Sequence, residues 1–390
     1  MKTLKKENWS SSFNLIGAAK INEYTYKIDE KSEGSDWIYN AFNLGVDCGE
    51  KHGVVYAEMM GGYSSEKAGV IFAHGKKEDG SDDFDSKIQV DWEDRFDDSI
   101  LEGIGELCFI TVGLEKTNKD KTFYKKFLSS YDAIAYIKSH LEDNMVINVK
   151  GNLKYSTYNG KTQVRKNINS IVLSKIDDVS KYAARFTQTV LLAKDSVGDF
   201  DKSKGIIPIY AKVLDYVKEI NGVEVKGNLP LEKMFEFEIS NPDRIKDIKK
   251  KVFDVKKNIT QITFEGNLIE GGAVITATED DIPDEIKELI DLGVFSLEEA
   301  LVKCSENGNR EQRMVFTKPL VKMIGEEGKK VPVIVKTENK FTEEEISEIY
   351  AAIANEQNDK PDVNDTNDED TDNAESSDEN ADSMDWLNNL

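Results

Sequence analysis

The stretch from Asn144 to Lys175 constrains the fold most, because apolar and polar residues alternate on both sides of one turn signal. Its apolar positions are Met145, Ile147, Val149, Leu153 and Tyr155 before Asn159-Gly160, and Val164, Ile168 and Val172 after it. An Asn-Gly pair between two alternating runs predicts a β-hairpin with a two-residue type I′ turn. This turn would pair Leu153 with Lys166, Tyr155 with Val164, and Lys154 with Arg165.

The same stretch is strongly basic. It contains no Asp or Glu, and its Lys and Arg residues give it a charge of +6 over 32 residues. One face of the predicted hairpin is largely apolar, whereas the other shows Lys150, Asn152, Lys154, Arg165, Asn167 and Asn169. The opposed Lys154 and Arg165 repel each other unless an anion lies between them. A phosphate backbone is such an anion, although an ordinary solvated sheet face explains the same residues without a ligand.

An internal repeat indicates two copies of one module. Val149-Lys-Gly-Asn-Leu153 recurs 115 residues later as Phe264-Glu-Gly-Asn-Leu268, and each copy follows a helix-like segment, at 130–141 and 242–257. Strands, then a helix, then a hairpin is the order of an OB-fold. We therefore predict a mainly β (β+α) chain of tandem OB-like barrels with accessory helices. Residues 1–178 form the first domain, with an insertion near 50–105, and residues 179–354 form the second.

The negative charge is concentrated at the C-terminus. Residues 355–390 hold 13 Asp or Glu against Lys360, so they carry −12 of the total of −23 and leave −11 for the other 354 residues. With few apolar side chains before position 384, this segment cannot offset the entropy of ordering, which predicts a disordered acidic tail. Trp386, Leu387 and Leu390 at its end are expected to bind a partner protein. A purely solubilising tail is the alternative.

A groove for single-stranded nucleic acid needs cations that follow the phosphates and flat rings on which bases stack. The predicted hairpin supplies cations, and strands in both halves supply rings. The predicted DNA-binding residues are Lys150, Lys154, Tyr155, Tyr158, Lys161, Arg165 and Lys166 of the hairpin, Trp37, Tyr39 and Tyr56 before it, and Lys212 and Tyr216 after it. Burial in a core explains each ring equally well. The expected register places Tyr155 in particular on the apolar face.

The residues that usually carry catalysis are dispersed. His52, His74 and His140 have no Cys or His at metal-ligand spacing, and no phosphate-binding or dinucleotide-binding glycine loop occurs. The acidic clusters at 82–85 and 91–94 fit solvated loops better than a Mg²⁺ site. We expect no enzyme activity, no metal and no cofactor. An odd number of cysteines, no export signal and no long apolar run favour a cytoplasmic protein without a membrane segment.

The basic hairpin, the repeat and the acidic tail with an apolar end resemble the layout of bacteriophage single-stranded-DNA-binding proteins with OB-folds. The resemblance implies a protein that coats and protects single-stranded DNA in DNA replication, recombination and repair. It also implies that the tail recruits replication or recombination proteins, in the host cytoplasm if the chain is phage-encoded. The ending Asp-Trp-Leu-Asn-Asn-Leu differs from the Asp-Ile-Pro-Phe type of bacterial relatives, so it identifies no particular partner.

The alternative is a virion or scaffold protein that binds no nucleic acid, in which β-barrels pack together and the tail keeps the subunit soluble. Affinity for an oligonucleotide separates the two hypotheses. The sequence leaves open the site size, self-association and a preference for DNA over RNA.

Overall fold

The computed structural model describes residues 2–67, 69–158, 161–176, 178–220, 222–255, 257–271, 312–325 and 330–358, with single positions between 282 and 300. Over these residues the chain is mostly β, with few helices. The helices are α1 (Asp98–Leu101), α2 (Ser130–His140), α3 (Ile245–Val252) and α4 (Glu343–Asn358). The predicted acidic tail beyond 358 lies outside the described residues.

Some strands show the alternation expected when one face is buried, as at Ser11–Lys20, whereas Ile259–Glu270 begins with six successive buried residues. The first ten are β1 (Ser11–Lys20), β2 (Tyr26–Lys31), β3 (Trp37–Asp47), β4 (Val54–Ser64), β5 (Val70–Lys76), β6 (Asp82–Asp91), β7 (Ile110–Lys116), β8 (Thr122–Phe127), β9 (Val146–Tyr158) and β10 (Lys161–Leu173). The next eight are β11 (Ala183–Leu192), β12 (Ile206–Ile220), β13 (Val223–Glu238), β14 (Ile259–Glu270), β15 (Gln312–Pro319), β16 (Val321–Ile324), β17 (Val331–Ile334) and β18 (Lys336–Phe341).

Five strands of the first half close into a barrel. β1 pairs with β3 and β9, β3 with β4, and β9 with β10, all antiparallel. A parallel contact between Glu58 of β4 and Asn167 of β10 closes the ring. α2 packs against this barrel with Ile134 and Ile137 fully buried, and the Ser129 hydroxyl caps it by accepting a hydrogen bond from the Tyr131 amide. The predicted mainly β chain with a barrel and few helices is confirmed.

Between β4 and α2 the chain adds strands that the barrel does not need. β5 and β6 form a separate two-stranded sheet with its own small core of Val90, Ile104 and Phe109. β7 pairs with β10 and with β8, and so extends the main sheet. The insertion predicted near 50–105 overlaps these elements. However, β4 inside that range is a barrel strand, and the added strands continue to Phe127.

The strands from β11 to β15 pair in the same order as the barrel strands. β11 pairs with β12 and β14, β12 with β13, and β14 with β15, all antiparallel, whereas β13 and β15 are parallel. α3 lies between β13 and β14 in the chain, just as α2 precedes β9. Stacked rings fill the interior: the Phe316 ring centroid lies 4.5 Å from that of Phe235 and 4.6 Å from that of Phe264.

The repeated Gly-Asn-Leu segments occupy matching places in β9 and β14. Gly151 pairs with Phe13 of β1, and Gly266 pairs with Phe186 of β11. A Cβ atom on Gly151 would approach the Phe13 ring to 2.8 Å, and one on Gly266 would approach the Phe186 ring to 2.5 Å. The carbonyl oxygen of Asn167 would come still closer to the Cβ on Gly151, at 1.8 Å, and that of Val315 would lie 2.5 Å from the Cβ on Gly266. Both positions therefore need glycine, because a phenylalanine ring and the backbone of the next strand lie against them.

The two sets of strands belong to one continuous sheet. β1 and β11 form an antiparallel ladder from Ser11 opposite Gln188 to Ile16 opposite Ala183. α4 then packs against β13, where the Tyr350 hydroxyl donates a hydrogen bond to the Pro230 carbonyl. α4 begins with a capping box, in which the Thr342 amide donates to Glu345 at 2.9 Å and the Glu345 amide donates to Thr342 Oγ1 at 3.1 Å.

Candidate nucleic-acid interface

The β9–β10 hairpin has the register that its sequence predicts. Lys154 lies opposite Arg165, Tyr155 opposite Val164, and Leu153 opposite Lys166. The ladder shifts by one residue near Asn169, after which Ser170 faces Lys150. The predicted turn residues Asn159 and Gly160 lie outside the described residues, as does the side chain of Tyr158, whose backbone ends β9.

The outward face of this hairpin carries the predicted cations and amides. Its exposed side chains are Lys150, Asn152, Lys154, Asn167 and Asn169, and Arg165 is half-buried beside them. Lys154 Nζ lies 4.0 Å from Asp215 Oδ1, and Arg165 Nε lies 4.0 Å from Glu58 Oε1. Both carboxylates are mostly buried, whereas 52% of the Lys154 side chain is exposed, so its ion pair at this distance contributes little stability. An anion from solvent can therefore reach Lys154, and Arg165 lies directly opposite it.

Lys166 does not belong to this exposed face. It lies on the inner side of β10 with only 4% of its surface exposed, and its Nζ contacts Glu270 Oε1 of β14 at 2.5 Å. The second carboxylate oxygen of Glu270 accepts a hydrogen bond from the Tyr56 amide at 3.0 Å. The sequence-based assignment of Lys166 to a DNA contact is inconsistent with this placement, because its charge is neutralised inside the protein.

Tyr155 is also buried, with 4% of its surface exposed. Its hydroxyl donates to Gln188 Oε1 at 3.0 Å, and its backbone amide donates to Asp215 Oδ2 at 2.5 Å. Burial, followed by the charge of Asp215, holds the pKa of this phenol well above its ordinary value. Tyr155 therefore joins the hairpin to β11 and β12 and presents no ring for base stacking. The inner-face position expected from the register is confirmed.

The outward face continues across the β1–β11 ladder into the second half of the chain. Lys150 pairs with Asn14 of β1, Asn14 pairs with Arg185 of β11, and Arg185 pairs with Asn267 of β14. Arg185 is exposed between the buried Ala184 and Phe186. We call Lys150, Asn14, Arg185 and Asn267 the polar row. Sequence reasoning missed Arg185, although its position between two apolar residues of a strand was a signal that it faces outward.

Three predicted rings lie on the outward side of β3 and β4. Trp37, Tyr39 and Tyr56 are half-buried. Tyr39 lies opposite Gly62 and Tyr56 opposite Gly45, and a Cβ on Gly45 would lie 3.3 Å from the Tyr56 ring. Base stacking requires an accessible ring, and each of these three residues keeps part of its surface exposed.

Glu58 lies on the same side of β4 as Tyr56, and its Oε1 is 4.0 Å from Arg165 Nε. Burial raises the pKa of its carboxyl group above the ordinary value, and the charges of Arg165 and Lys166 oppose that shift. A raised pKa makes this carboxylate easier to neutralise than an exposed one, which reduces its repulsion of an approaching polyanion.

A groove of about 520 Å³ lies where the end of the β9–β10 hairpin meets the second half of the chain. It brings together Lys161 of the hairpin and Lys212 of β12, both of them predicted DNA-binding residues. Lys212 Nζ contacts Glu232 at 2.6 Å, and Arg313 contacts Glu236 at 2.9 Å, so paired charges line much of the wall. Burial, followed by the charge of Lys166, lowers the pKa of Lys233 in the same wall.

Two exposed side chains on the groove wall are absent from the predicted site residues. Tyr210 and Met234 face each other across β12 and β13, and 57% and 53% of their surfaces are exposed. Tyr216, a predicted site residue, is exposed to 52% opposite Asn228 and does not line the groove. The alternation of β12 places Tyr210, Lys212 and Tyr216 on its outward side, but only the neighbouring strand shows which of them meet the hairpin.

The predicted partner-binding residues Trp386, Leu387 and Leu390 lie outside the described residues. Within the described part of the chain, no group of three or more His, Cys, Asp or Glu side chains is placed to hold a metal ion. In the same part, no helix combines the length and apolar character needed to cross a membrane.

Comparison with known proteins gives one family match. A family model described as YorF matches residues 76–294. No curated protein matches the chain. Among solved structures, a deletion variant of the single-stranded DNA binding protein from Thermus aquaticus is 10% identical over 82% of this chain and 98% of that one, with a TM-score of 0.32. The wild-type protein is 10% identical over 68% and 87%, with a TM-score of 0.29. TM-scores this low carry no argument about this chain.

Proposed function

We propose that the chain, which belongs to the YorF family, binds single-stranded DNA along the outward face of its β9–β10 hairpin and the adjoining polar row. The observation that carries this proposal is the arrangement of Lys150, Lys154 and Arg165. Lys150 and Lys154 are exposed on one sheet face, and Arg165 is half-buried beside them. Lys154 Nζ lies 4.0 Å from Asp215 Oδ1, and Arg165 lies directly opposite Lys154 across the hairpin. A strand of phosphates supplies the anion that two opposed cations require.

Amides and rings beside these cations supply the other contacts. Asn152, Asn167 and Asn169 offer hydrogen bonds to bases or sugars, and Arg185 continues the positive charge into the second half of the chain. The flat surfaces on which bases stack are those of Tyr39 and Tyr56 on one side and of Tyr210 in the groove on the other. Each stacked base contributes about 1–3 kcal/mol without selecting a sequence.

We further interpret the two closed sets of strands as tandem OB-like barrels. Support comes from the shared order of three strands, a helix and two strands, with the same parallel closure in each. In OB-folds the second and third strands and the loops beside them bind oligonucleotides. Here those strands are β3 and β4 in the first set and β12 and β13 in the second, which carry the rings and the groove wall.

In this proposal the protein has no catalytic chemistry of its own. It coats and protects single-stranded DNA in the cytoplasm during replication, recombination and repair. The acidic C-terminal tail recruits partner proteins through Trp386, Leu387 and Leu390, and it competes with DNA for the cationic face by like charge. The position of α4, which precedes the tail, supports this competition. Tyr350 of α4 lies close to Glu232 of the groove wall, whose charge adds to burial in raising the pKa of Tyr350 to about 12.

The test is a fluorescence-anisotropy titration of a labelled oligothymidine with the full chain. The variant Lys150→Ala/Lys154→Ala/Arg165→Ala is expected to bind about tenfold or more weakly at moderate salt, because three phosphate contacts are lost. A matched control, Lys138→Ala/Lys181→Ala/Lys202→Ala, removes three exposed cations elsewhere and should bind like the unmodified chain. No binding by the unmodified chain at low salt would refute the proposal and favour a structural role.

A further inference from the structure

The small β5–β6 sheet presents an apolar face to solvent. Phe72, Phe84 and Leu107 have 75%, 69% and 72% of their surfaces exposed. Phe72 and His74 lie on one side of β5. The Phe84 ring centroid is 4.7 Å from that of His74. Asp82 Oδ1 forms a hydrogen bond with His74 Nε2 and accepts another from the Leu107 amide. The opposite side of β5 packs on Val90 and Ile104. We call the exposed side, with Phe72, Phe84 and Leu107, the insertion face.

A second apolar element belongs to the other half of the chain. β16 and β17 form a separate two-stranded antiparallel sheet, which we call the arm. Val321, Met323 and Ile324 on one strand have 48%, 58% and 57% of their surfaces exposed, and Val331 and Val333 on the other have 56% and 41%. At its base the arm is held by backbone hydrogen bonds between Leu320 and Val335 and between Leu320 and Thr263.

Neither surface is covered by the described residues of its own chain. Single exposed apolar residues are ordinary on a protein surface, but two clusters of this kind are typical of interaction sites. The charges around them are opposite. Residues 79–98 beside the insertion face hold nine Asp or Glu against two Lys or Arg, a net −7, whereas the described residues of the arm and its flanks, 318–325 and 330–336, hold four Lys and no Asp or Glu, a net +4.

We infer that the arm of one copy of the chain docks on the insertion face of the next copy. Opposite charges guide the approach, and apolar contacts centred on Phe72 and Met323 hold the complex. Because each copy carries both surfaces on different elements, the interface is heterologous. Such an interface adds copies head to tail, in an open series or in a ring if the rotation between copies closes. The inference does not depend on nucleic-acid binding, so each can fail without the other.

The test is sedimentation velocity of the full chain without DNA, over a wide range of concentrations. The unmodified chain is expected to form species larger than a monomer, in a proportion that rises with concentration. Phe72→Ser and Met323→Ser should each be monomeric at concentrations where the unmodified chain associates, with affinity reduced about tenfold or more. Both side chains are largely exposed, so the fold should persist, which circular dichroism checks. Val179→Ser is the matched control, since Val179 is 62% exposed and lies on neither surface.

Mixing the two variants gives the sharpest outcome. Each retains one intact surface, so an equimolar mixture should form a one-to-one dimer and nothing larger. Three results would overturn the inference: an unmodified chain that stays monomeric at all concentrations, a mixture that stays monomeric, or a Phe72→Ser variant that still associates alone. The last result would indicate an arm-to-arm contact, and the first would fit a surface covered by the chain's own C-terminal residues or by another protein.

Discussion

Replacing Lys166 by Met should destabilise the fold without weakening DNA binding by the molecules that remain folded. Lys166 and Glu270 are 4% and 6% exposed, and their charged atoms lie 2.5 Å apart between β10 and β14. Met has a similar length and no charge, so the substitution leaves the Glu270 carboxylate buried without its cation. The pair lies between the two halves of the molecule, where the carboxylate also accepts a hydrogen bond from the Tyr56 amide.

The magnitude follows from the burial of both groups. Removing one member of a buried ion pair costs about 3–5 kcal/mol, because the remaining charge has lost its solvent and its partner. Glu270→Gln should cost a similar amount, since it leaves Lys166 unpaired but keeps an acceptor for the Tyr56 amide. The double variant removes both charges and should recover most of the loss. The resulting coupling free energy should be about 2 kcal/mol or more.

The measurement is urea unfolding followed by tryptophan fluorescence for the unmodified chain, both single variants and the double variant. Oligothymidine affinity is measured in buffer where each variant is folded, and it should stay within about twofold of the unmodified value, since Lys166 does not reach solvent. A destabilisation under about 1 kcal/mol would refute the buried ion pair. A large loss of DNA affinity by folded Lys166→Met would restore the sequence-based assignment of Lys166.

Individual contacts support three more predictions. Burial lowers the pKa of His52 in the folded chain, so His52 of the unfolded chain is protonated first as the pH falls. The free energy of unfolding should therefore decrease below about pH 6.5, by about 1.4 kcal/mol per pH unit, until His52 of the folded chain is protonated too. Urea titrations of His52→Gln should show no such dependence on pH. Tyr155→Phe removes the hydrogen bond to Gln188 and should lower the free energy of unfolding in the same assay by about 0.5–1.5 kcal/mol. Its oligothymidine affinity should be unchanged, and a clear loss of affinity would contradict the buried position of Tyr155. Deleting residues 359–390 should strengthen oligothymidine binding most at low salt, and unchanged affinity would exclude competition by the tail.

The β9–β10 hairpin shows which structural features the local sequence can predict. The Asn159-Gly160 signal and the alternation around it were sufficient for the register, because a two-residue turn leaves one pairing between the flanking strands. The same register placed Tyr155 and Lys166 on the inner side. The partners that hold them there, Gln188 and Glu270, are 33 and 104 residues distant in the chain. No local pattern identifies such partners.

The repeat and the groove also show what the local sequence can and cannot predict. Gly151 and Gly266 recur because a phenylalanine ring and the backbone of the next strand leave no room for a side chain at either position, so a five-residue match was sufficient to align two distant strands. The groove, in contrast, depends on where the end of the first hairpin meets β12 and β13. Lys161 and Lys212 were predicted from their charge, whereas nothing in the local sequence indicated that Met234 and Arg313 line a groove.

The most direct test of DNA binding by the hairpin face is the salt dependence of oligothymidine affinity. For single strands the slope of log affinity against log salt changes by about 0.7 for each phosphate contact. Lys150→Ala/Lys154→Ala/Arg165→Ala should therefore flatten the slope by about 2. The control that removes Lys138, Lys181 and Lys202 should leave the slope unchanged. An equal slope for the unmodified chain and the hairpin variant would show that these cations do not contact the strand and would contradict the proposed interface.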